Sequence, residues 1–368
     1  MDLPSYDGRG LVNLIAELEA RLGGRAPAAR LESGLAELIP PASTYVLVLL
    51  DGLGDGQLSH RRLEALPAAR VARLEAGFCT TTTTSLATVS TGLPPSQHGL
   101  LGHLLWLPEV GRVVNTLKWV DLTGATVNYQ TAALLPPPNL WERLSAAGIE
   151  AITVQPGAFA DTPLTRALYR GCRFEPVASL EEAVAATCRL AETRRRLIFT
   201  YFPDVDFAAH VFGQDSTEYR LALSEADRLW FQLSARLPSA AVMVGTADHG
   251  VLDFPEEGKV VLRNRDRLIY YGDPRSVLVK GNLESIEAVA GEAGVEVRTD
   301  LAGWWGPPPF HSSFSERAPD AVLLAGPRQV LLPPAFDRRL RGYHGGLTAE
   351  EVGIPLLVAA GRGRIVVK

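Results

Sequence analysis

Three features are rare or missing in this 368-residue sequence, and each one excludes certain classes of protein before any motif is considered. Cysteine occurs only at Cys79, Cys172 and Cys188. Because the cysteines are few and odd in number, they argue against a disulfide framework or a zinc knuckle, and they favour a reducing compartment. Lysine occurs four times and the formal net charge is −5, which gives no support to a nucleic-acid-binding face. The N-terminus lacks a basic stretch followed by an apolar core, and no apolar run is long enough to cross a membrane. We therefore expect a cytoplasmic protein with no membrane partner.

The overall composition, with 46% hydrophobic and 21% charged residues, is ordinary for a soluble globular enzyme. The length indicates one large α/β domain with insertions, or two domains. Apolar strand patterns alternate with helical patterns, which predicts a doubly wound, mostly parallel sheet between helices. The predicted strands are 44–50, 150–156, 197–202, 241–250, 320–325 and 355–360, with an edge strand at 365–367. The predicted helices are 11–22, 31–39, 60–76, 138–148, 179–193 and 216–236.

Acidic residues and histidines follow three of these apolar strands. Asp51 comes directly after the first strand, Asp206 and His210 follow the strand at 197–202, and Asp248 and His249 lie at the end of the strand at 241–250. Each could be a helix cap or a chance pairing. Three sets in phase with the strand pattern instead indicate a site at the carboxyl edge of the sheet, where α/β proteins bind ligands.

A run of five threonines, Thr80–Thr84, precedes a short helical pattern that Gly92 ends. A hydroxyl at such a helix start faces unpaired N–H groups and can meet a phosphate there, although a helix cap rich in threonine is the simpler interpretation. A last histidine, His344, lies in a glycine-rich segment near the C-terminus.

The character of the sequence changes between residues 257 and 340, where short apolar runs alternate with turns. We interpret this part as an inserted, smaller α+β lid subdomain within a core formed by 1–256 and 341–368. Four of its residues are predicted to border the substrate pocket: Trp304, Trp305, Phe310 and His311.

The collected candidates are oxygen and nitrogen ligands without thiolates, which suits two divalent ions, zinc in preference to manganese. Two such ions can bind both sides of an in-line phosphoryl displacement and can activate a threonine hydroxyl as nucleophile. The candidate metal ligands are Asp51, Thr82, Asp206, His210, Asp248, His249 and His344.

The order of these residues resembles the alkaline phosphatase superfamily, and within it the type I phosphodiesterase/nucleotide pyrophosphatase family. The pattern is an Asp after the first strand, a Thr before TGLPPSQHG, Asp-x-x-x-His, Asp-His-Gly and a late His-Gly. The resemblance implies one metal on Asp206, His210 and His344, and another on Asp51, Asp248, His249 and the Thr82 oxygen. It also implies a phosphothreonine intermediate on Thr82, which is selected by counting back from Thr91. The threonine run leaves Thr81 and Thr83 as alternatives.

The sequence departs from the family at two places. Thr82 is followed by Thr-Thr-Ser-Leu rather than Phe-Pro-Asn-His, and His103 stands where an asparagine binds a phosphate oxygen in relatives. His103 is therefore a candidate substrate-binding residue. The resemblance implies a hydrolase of small phosphate esters such as nucleotides, with phosphodiesterase/nucleotide pyrophosphatase activity favoured. The alternatives are a phosphomonoesterase, a phosphonoacetate-hydrolase-like C–P hydrolase, a phosphomutase, or a non-catalytic protein that binds a phosphorylated ligand. A sulfatase is disfavoured because Cys79 lacks the following Pro and Arg.

Overall fold

The computed structural model describes residues 3–263, 268–334 and 336–361. The predicted strand at 365–367 lies outside these residues. The described strands are β1 Thr44–Leu50, β2 Arg70–Glu75, β3 Leu104–Leu107, β4 Arg112–Asn115, β5 Val120–Asp121, β6 Glu150–Pro156, β7 Arg173–Val177, β8 Arg196–Phe202, β9 Ala241–Thr246, β10 Leu252–Asp253, β11 Lys259–Val261, β12 Ile269–Asp273, β13 Ser276–Lys280, β14 Glu296–Arg298, β15 Ala321–Leu324, β16 Val330–Leu332, β17 Gly342–Tyr343 and β18 Gly353–Ala360.

The central sheet has seven strands in the order β2-β18-β9-β1-β8-β6-β7. The pairs from β9 to β7 are parallel, and β18 is antiparallel to both of its neighbours, β9 and β2. Every residue of β1 is buried, as expected for a continuous apolar run covered on both faces. The predicted α/β fold with a mostly parallel sheet is therefore confirmed.

Five of the six predicted helices, those other than 60–76, overlap a helix of the structure, and the described residues form thirteen α-helices in all. They are α1 Leu11–Arg21, α2 Ser33–Ala36, α3 Ala65–Ala69, α4 Thr82–Thr91, α5 Pro95–His98, α6 Leu140–Ala146, α7 Pro163–Leu168, α8 Leu180–Ala191, α9 Asp204–Phe212, α10 Thr217–Arg236, α11 Leu283–Ala293, α12 Ser312–Arg317 and α13 Ala349–Val352. No helix in the described ranges is long and apolar enough to span a bilayer.

The predicted helix at 60–76 is wrong. Only α3 is helical there, and the following residues form the edge strand β2, which pairs with β18 through partners such as Leu74 and Ile354. Leu74 is fully buried whereas the neighbouring Arg73 is exposed, so the strand has one face on the core. The long-range pairing with β18 outweighs a local pattern that suits either structure.

A second, antiparallel sheet has the order β14-β15-β13-β12-β3-β4-β5. The predicted insertion at 257–340 supplies its first four strands, and β3, β4 and β5 come from an earlier part of the chain. The two parts join where Gly272 of β12 pairs with Leu104 of β3. Sequence reasoning assigned only the later part to the subdomain, because the pairing partner of β3 lies about 170 residues away. The division of the chain into two domains stays a prediction.

Candidate active site

Three neighbouring strands of the central sheet, β9, β1 and β8, bring their carboxyl ends to the same edge. Asp51 directly follows β1, Asp248 lies two residues after β9, and Asp206 is in the first turn of α9 after β8. Backbone bonds hold these ends together, since the Asp206 N–H donates to the carbonyl of Asp51 at 3.1 Å and the Gly52 N–H donates to Asp248 Oδ1 at 3.0 Å. The parallel topology therefore concentrates three carboxylates that are far apart in the sequence.

Gly52 is required for the close approach of β1 to α9. Its φ is +71°, and a Cβ placed on it would lie 2.8 Å from the Cβ and 2.9 Å from the Cα of Asp206. A side chain at this position would meet the backbone that carries a candidate ligand, so glycine lets Asp51 and Asp206 share the site.

Helix α9 presents Asp206 and His210 one turn apart on the same side, as the Asp-x-x-x-His spacing predicts. The His210 Nε2 lies 3.2 Å from Asp206 Oδ2 and 3.0 Å from the Nε2 of His344. His344 follows β17, so the late glycine-rich segment returns to the same edge of the sheet. Its ring stacks on that of His249 with centroids 3.8 Å apart.

The three histidines share an orientation that suits metal binding. Each Nδ1 lies near a backbone carbonyl: His210 near Gly342 at 2.7 Å, His249 near Gly250 at 3.3 Å, and His344 near Thr80 at 2.9 Å. A carbonyl only accepts hydrogen bonds, so the neutral ring carries its proton on Nδ1 and offers the Nε2 lone pair to the site. The backbone thus fixes the tautomer that a divalent cation needs.

The candidate ligands form two sets, and within each set the ligand atoms lie within 4.8 Å of one another. One set is Asp206, His249 and His344, and the other is Asp51, Asp248 and His249. Each set contains a buried carboxylate oxygen without a hydrogen-bond partner among the described residues, Asp206 Oδ1 and Asp248 Oδ2. Such oxygens are costly to bury unless a cation binds them. The residues present therefore fit two divalent ions, with His249 between the two sets.

Burial and mutual charge interactions shift the pKa values of the site residues, and a bound cation would reduce the repulsion between the carboxylates. Burial raises the pKa of Asp51, and repulsion by Asp248 and Asp206 raises it further. Burial alone would raise the pKa of Asp206, but the neighbouring His210 outweighs this and lowers it. Burial would lower the pKa of His210, yet Asp206 raises it to about 9. Burial, reinforced by repulsion from His249, lowers the pKa of His344.

Thr82 is the threonine of the run whose hydroxyl reaches the candidate ligands. Its Oγ1 lies 3.2 Å from His249 Nε2 and 3.4 Å from Asp51 Oδ1, and the residue is half-buried at the first position of α4. The Thr81 hydroxyl instead donates to Asp273 Oδ1 at 3.0 Å. The Thr83 hydroxyl is buried and has no hydrogen-bond partner among the described residues. Geometry therefore distinguishes the three threonines that counting along the sequence left open.

These residues open onto a cavity of about 500 Å³. Asp51, Thr82, Asp206, His210 and His344 line it together with residues of α4, α7, α9 and the β12–β13 turn. All seven candidate ligands thus converge on one place, with Asp248 and His249 fully buried beneath it.

The four insertion residues predicted to border this pocket do not do so. Trp304 and Trp305 are buried, with ring centroids 5.1 and 5.4 Å from that of Phe78. Phe310 packs on the ring of Phe314, and His311 is the N-cap of α12. Aromatic residues in a supposed lid are an ambiguous signal, because packing uses the same residues as ligand binding.

Comparison with known proteins resolves the family. A sequence profile described as type I phosphodiesterase / nucleotide pyrophosphatase matches residues 45–345 of the 368. The chain belongs to this family. The match runs from the first residues of β1 to the residue after His344, so it includes every candidate ligand of this family member. No curated protein sequence matches the chain.

Solved structures share the fold of this type I phosphodiesterase family member at low sequence identity. Murine ectonucleotide pyrophosphatase/phosphodiesterase 5 matches with a TM-score of 0.65 and 18% identity, covering 86% of this chain and 87% of the other. An inactive form of that murine protein in complex with AMP matches with a TM-score of 0.62, 17% identity and the same coverage. Phosphonoacetate hydrolase from Sinorhizobium meliloti 1021, in complex with phosphonoformate, matches with a TM-score of 0.63 and 19% identity, covering 89% and 92%. These likenesses, all below 25% identity, show that the chain shares the fold of these proteins.

This family member also has site residues that sequence reasoning missed. Asp273 is buried between β12 and β13, and its Oδ1 lies 2.7 Å from the Nδ1 of His103 and accepts a hydrogen bond from Thr81. Tyr201, near the end of β8, donates a hydrogen bond from its hydroxyl to Asp51 Oδ2. No sequence signal distinguishes them, because Gly-Asp-Pro-Arg is typical of an ordinary turn and Tyr201 of an apolar strand. His103 lines the cavity, and its Nδ1 is the ring nitrogen that pairs with Asp273.

Proposed function

We propose that this protein is a two-metal-dependent hydrolase that cleaves phosphodiesters through a covalent intermediate on Thr82. The observation that carries the proposal is the position of the Thr82 hydroxyl. It lies within 3.4 Å of both Asp51 and His249, members of one candidate ligand set, and it faces the cavity. A hydroxyl there is placed for nucleophilic attack rather than for capping alone.

Asp206, His210 and His344 would hold one divalent ion, and Asp51, Asp248 and His249 would hold the other with the Thr82 oxygen. Carboxylate and imidazole ligands without thiolates favour zinc, with manganese as the alternative. When bound, such ions lower the pKa of an adjacent hydroxyl and offset the charge on a phosphoryl group.

The residues of the chain then have defined roles in two displacements. Thr82 Oγ1 gives up its proton to solvent and attacks phosphorus, and the bond from phosphorus to the leaving oxygen breaks with its electron pair on that oxygen. The leaving oxygen takes up a proton from solvent and departs as the alcohol, and the phosphoryl group is then bonded to Thr82. Water attacks the same phosphorus in the second step and frees the threonine. The start of α4 directs its unpaired N–H groups and positive dipole end at this position, which stabilises phosphoryl oxygens. Tyr201 holds Asp51 in place through the hydroxyl hydrogen bond.

The charges around the nucleophile support a diester over a monoester. The buried carboxylate of Asp273 accepts the hydroxyl of Thr81, directly before the nucleophile. A monoester carries one more negative charge than a diester near neutral pH, and an additional buried carboxylate repels it more strongly. Among the described residues that line the cavity, Lys118 is the only lysine and there is no arginine to compensate.

The proposal is tested with bis(p-nitrophenyl) phosphate beside p-nitrophenyl phosphate, using zinc-loaded protein. We expect a preference for the diester, and loss of its hydrolysis in a chelated sample. Thr82→Ala should lower kcat by roughly a thousandfold or more, as removal of a nucleophile does in other hydrolases. Thr83→Ala is the matched control and should retain activity, because its hydroxyl makes no hydrogen bond to any described residue.

Other outcomes would redirect the assignment. A preference for the monoester would favour a phosphatase or phosphomutase, and equal activity of Thr82→Ala would refute the nucleophile. Turnover of neither ester by protein that binds two ions would favour a phosphonate substrate. Protein that binds no metal would refute the ligand assignment itself.

A further inference from the structure

One wall of the active-site cavity is apolar and begins beside the candidate ligands. On α9, Phe207 and Val211 are one turn apart and adjoin the stripe formed by Asp206 and His210. Their exposed fractions are 60% and 41%, unusual for large apolar residues that line a cavity. Among the ring–ring contacts of the described residues, the one with Phe212 is the only one that Phe207 makes. The wall therefore presents apolar surface that protein packing does not cover.

A second part of the cavity lining is also apolar. Leu86 lies one turn after Thr82 on α4, so the nucleophile and an apolar residue share one helix face. Leu164 and Leu168 on α7 and Phe159 before that helix complete this side. A group bound next to Thr82 would thus have apolar lining residues from α4, α7 and α9 in the same cavity, and burial of apolar area there favours association.

The charges that line the cavity give little support for additional phosphate groups. Beyond the candidate ligands, the charged residues among the described lining are Lys118, Asp273 and Asp337. Asp337 is paired with Arg339 at 2.7 Å, and Asp273 is paired with His103. Sites that bind a second or third phosphate supply several cationic side chains or a glycine-rich backbone loop. Beyond the candidate ligands, the described lining contains one exposed lysine and two carboxylates.

We propose that the cavity selects phosphodiesters in which an organic substituent is neutral and apolar, aryl or alkyl, over nucleotides that carry further phosphates. The apolar substituent binds along Phe207 and Val211 while the phosphoryl group lies at Thr82. The inference rests on the proposed function and specifies the substrate class of the same site.

The test compares zinc-loaded wild-type protein with Phe207→Ala and with the matched control Phe231→Ala. Phe231 lies on α10 with an exposed fraction of 61%, close to that of Phe207, and does not line the cavity. The substrates are bis(p-nitrophenyl) phosphate, methyl p-nitrophenyl phosphate and ATP. We expect kcat/KM to be highest for the bis-aryl ester and lowest for ATP. Phe207→Ala should reduce kcat/KM for the bis-aryl ester by about tenfold, the size of one aromatic contact, and Phe231→Ala should not.

The effect on the methyl ester tells which group binds the wall. Loss in Phe207→Ala for the bis-aryl ester alone assigns the wall to the group retained on phosphorus, and equal loss for both esters assigns it to the leaving group. The inference is overturned if ATP is the best substrate, or if Phe207→Ala and Phe231→Ala behave alike on all three. Either result would leave the proposed hydrolase intact.

If no ester is hydrolysed, the proposed function fails, and the inference is then decided by binding alone. Calorimetry would use the zinc-loaded Thr82→Ala protein with bis(p-nitrophenyl) phosphate, alone and combined with Phe207→Ala or Phe231→Ala. A dissociation constant raised about tenfold by Phe207→Ala only would support the apolar wall. Equal constants in all three proteins would overturn it.

Discussion

Replacing Gly52 by alanine tests whether the end of β1 positions the ligands on α9. The new Cβ would lie 2.8 Å from the Cβ of Asp206, whereas apolar carbons normally approach to about 3.5 Å, so one side must move by about 0.7 Å. The φ of +71° adds about 1–2 kcal/mol for a non-glycine residue. Overpacking against a helix backbone adds about 1–3 kcal/mol. We therefore expect a loss of about 2–5 kcal/mol in the free energy of unfolding.

The matched control is Gly111→Ala. Gly111 has a φ of +63°, and a Cβ added to it would meet no described atom within 4 Å, so this variant carries the conformational cost without the clash. It should lose only about 1–2 kcal/mol. Urea unfolding of both variants by circular dichroism measures the difference, which isolates the contact with Asp206.

Metal content provides the second readout of this prediction. A shift of about 0.7 Å exceeds the tolerance of about 0.5 Å within which a metal site stays functional, so Gly52→Ala should bind fewer ions per chain than Gly111→Ala. Plasma mass spectrometry after dialysis counts them. If the two variants match in stability and in metal content, the close approach of β1 to α9 is not what holds Asp206, and the reasoning fails.

Three further predictions concern other parts of the site and its support. Burial, aided by repulsion from Arg317, lowers the pKa of His98 from 6.5 to about 3. The unfolded chain then binds a proton that the folded protein does not, so the free energy of unfolding falls by about 2 kcal/mol between pH 6.5 and pH 5. Urea unfolding of His98→Asn should lack this part of the pH dependence, and an unchanged slope would contradict the assignment. Asp273→Asn removes a charge-assisted hydrogen bond to His103 and should lower kcat/KM about tenfold to a hundredfold with metal content unchanged; loss of metal would instead make Asp273 a ligand. Chelation should lower the thermal unfolding temperature of the wild type but have less effect on Asp206→Asn, because ions stabilise only a folded site that binds them.

The elements that carry the site were predictable because their signals are local. The apolar run of β1 ends in Asp51, α9 follows the spacing of Asp206 and His210, and the parallel topology then forces their strand ends together. The match of the whole pattern to a known family added the late His344, which no local rule links to the others.

What the sequence did not reveal depends on long-range pairing. The stretch after Ala69 becomes the strand β2 because β18, nearly 300 residues later, offers it a partner. The second sheet likewise joins β3 to β12 across the chain, and this union places Asp273 beside His103 and Thr81. Neither contact can be recognised from neighbouring residues, because an aspartate in an ordinary turn and an aspartate in a pocket have the same local sequence pattern.

Proposing Thr82 rather than Thr81 or Thr83 as the nucleophile also required coordinates. In a run of identical residues the helical register decides which hydroxyl faces the ligands, and a shift of one residue rotates the side chain by about 100°. The start of α4 at Thr82 sets that register.

The most direct test of the central claim is to trap the covalent intermediate. Wild-type, zinc-loaded protein would be mixed with bis(p-nitrophenyl) phosphate, quenched in acid over the first turnover, digested and analysed by tandem mass spectrometry. We predict a p-nitrophenyl phosphoryl group on Thr82, formed as the first equivalent of p-nitrophenolate is released. An adduct on Thr81, Thr83 or another residue, or first-turnover product release without any adduct, would contradict Thr82 as the nucleophile.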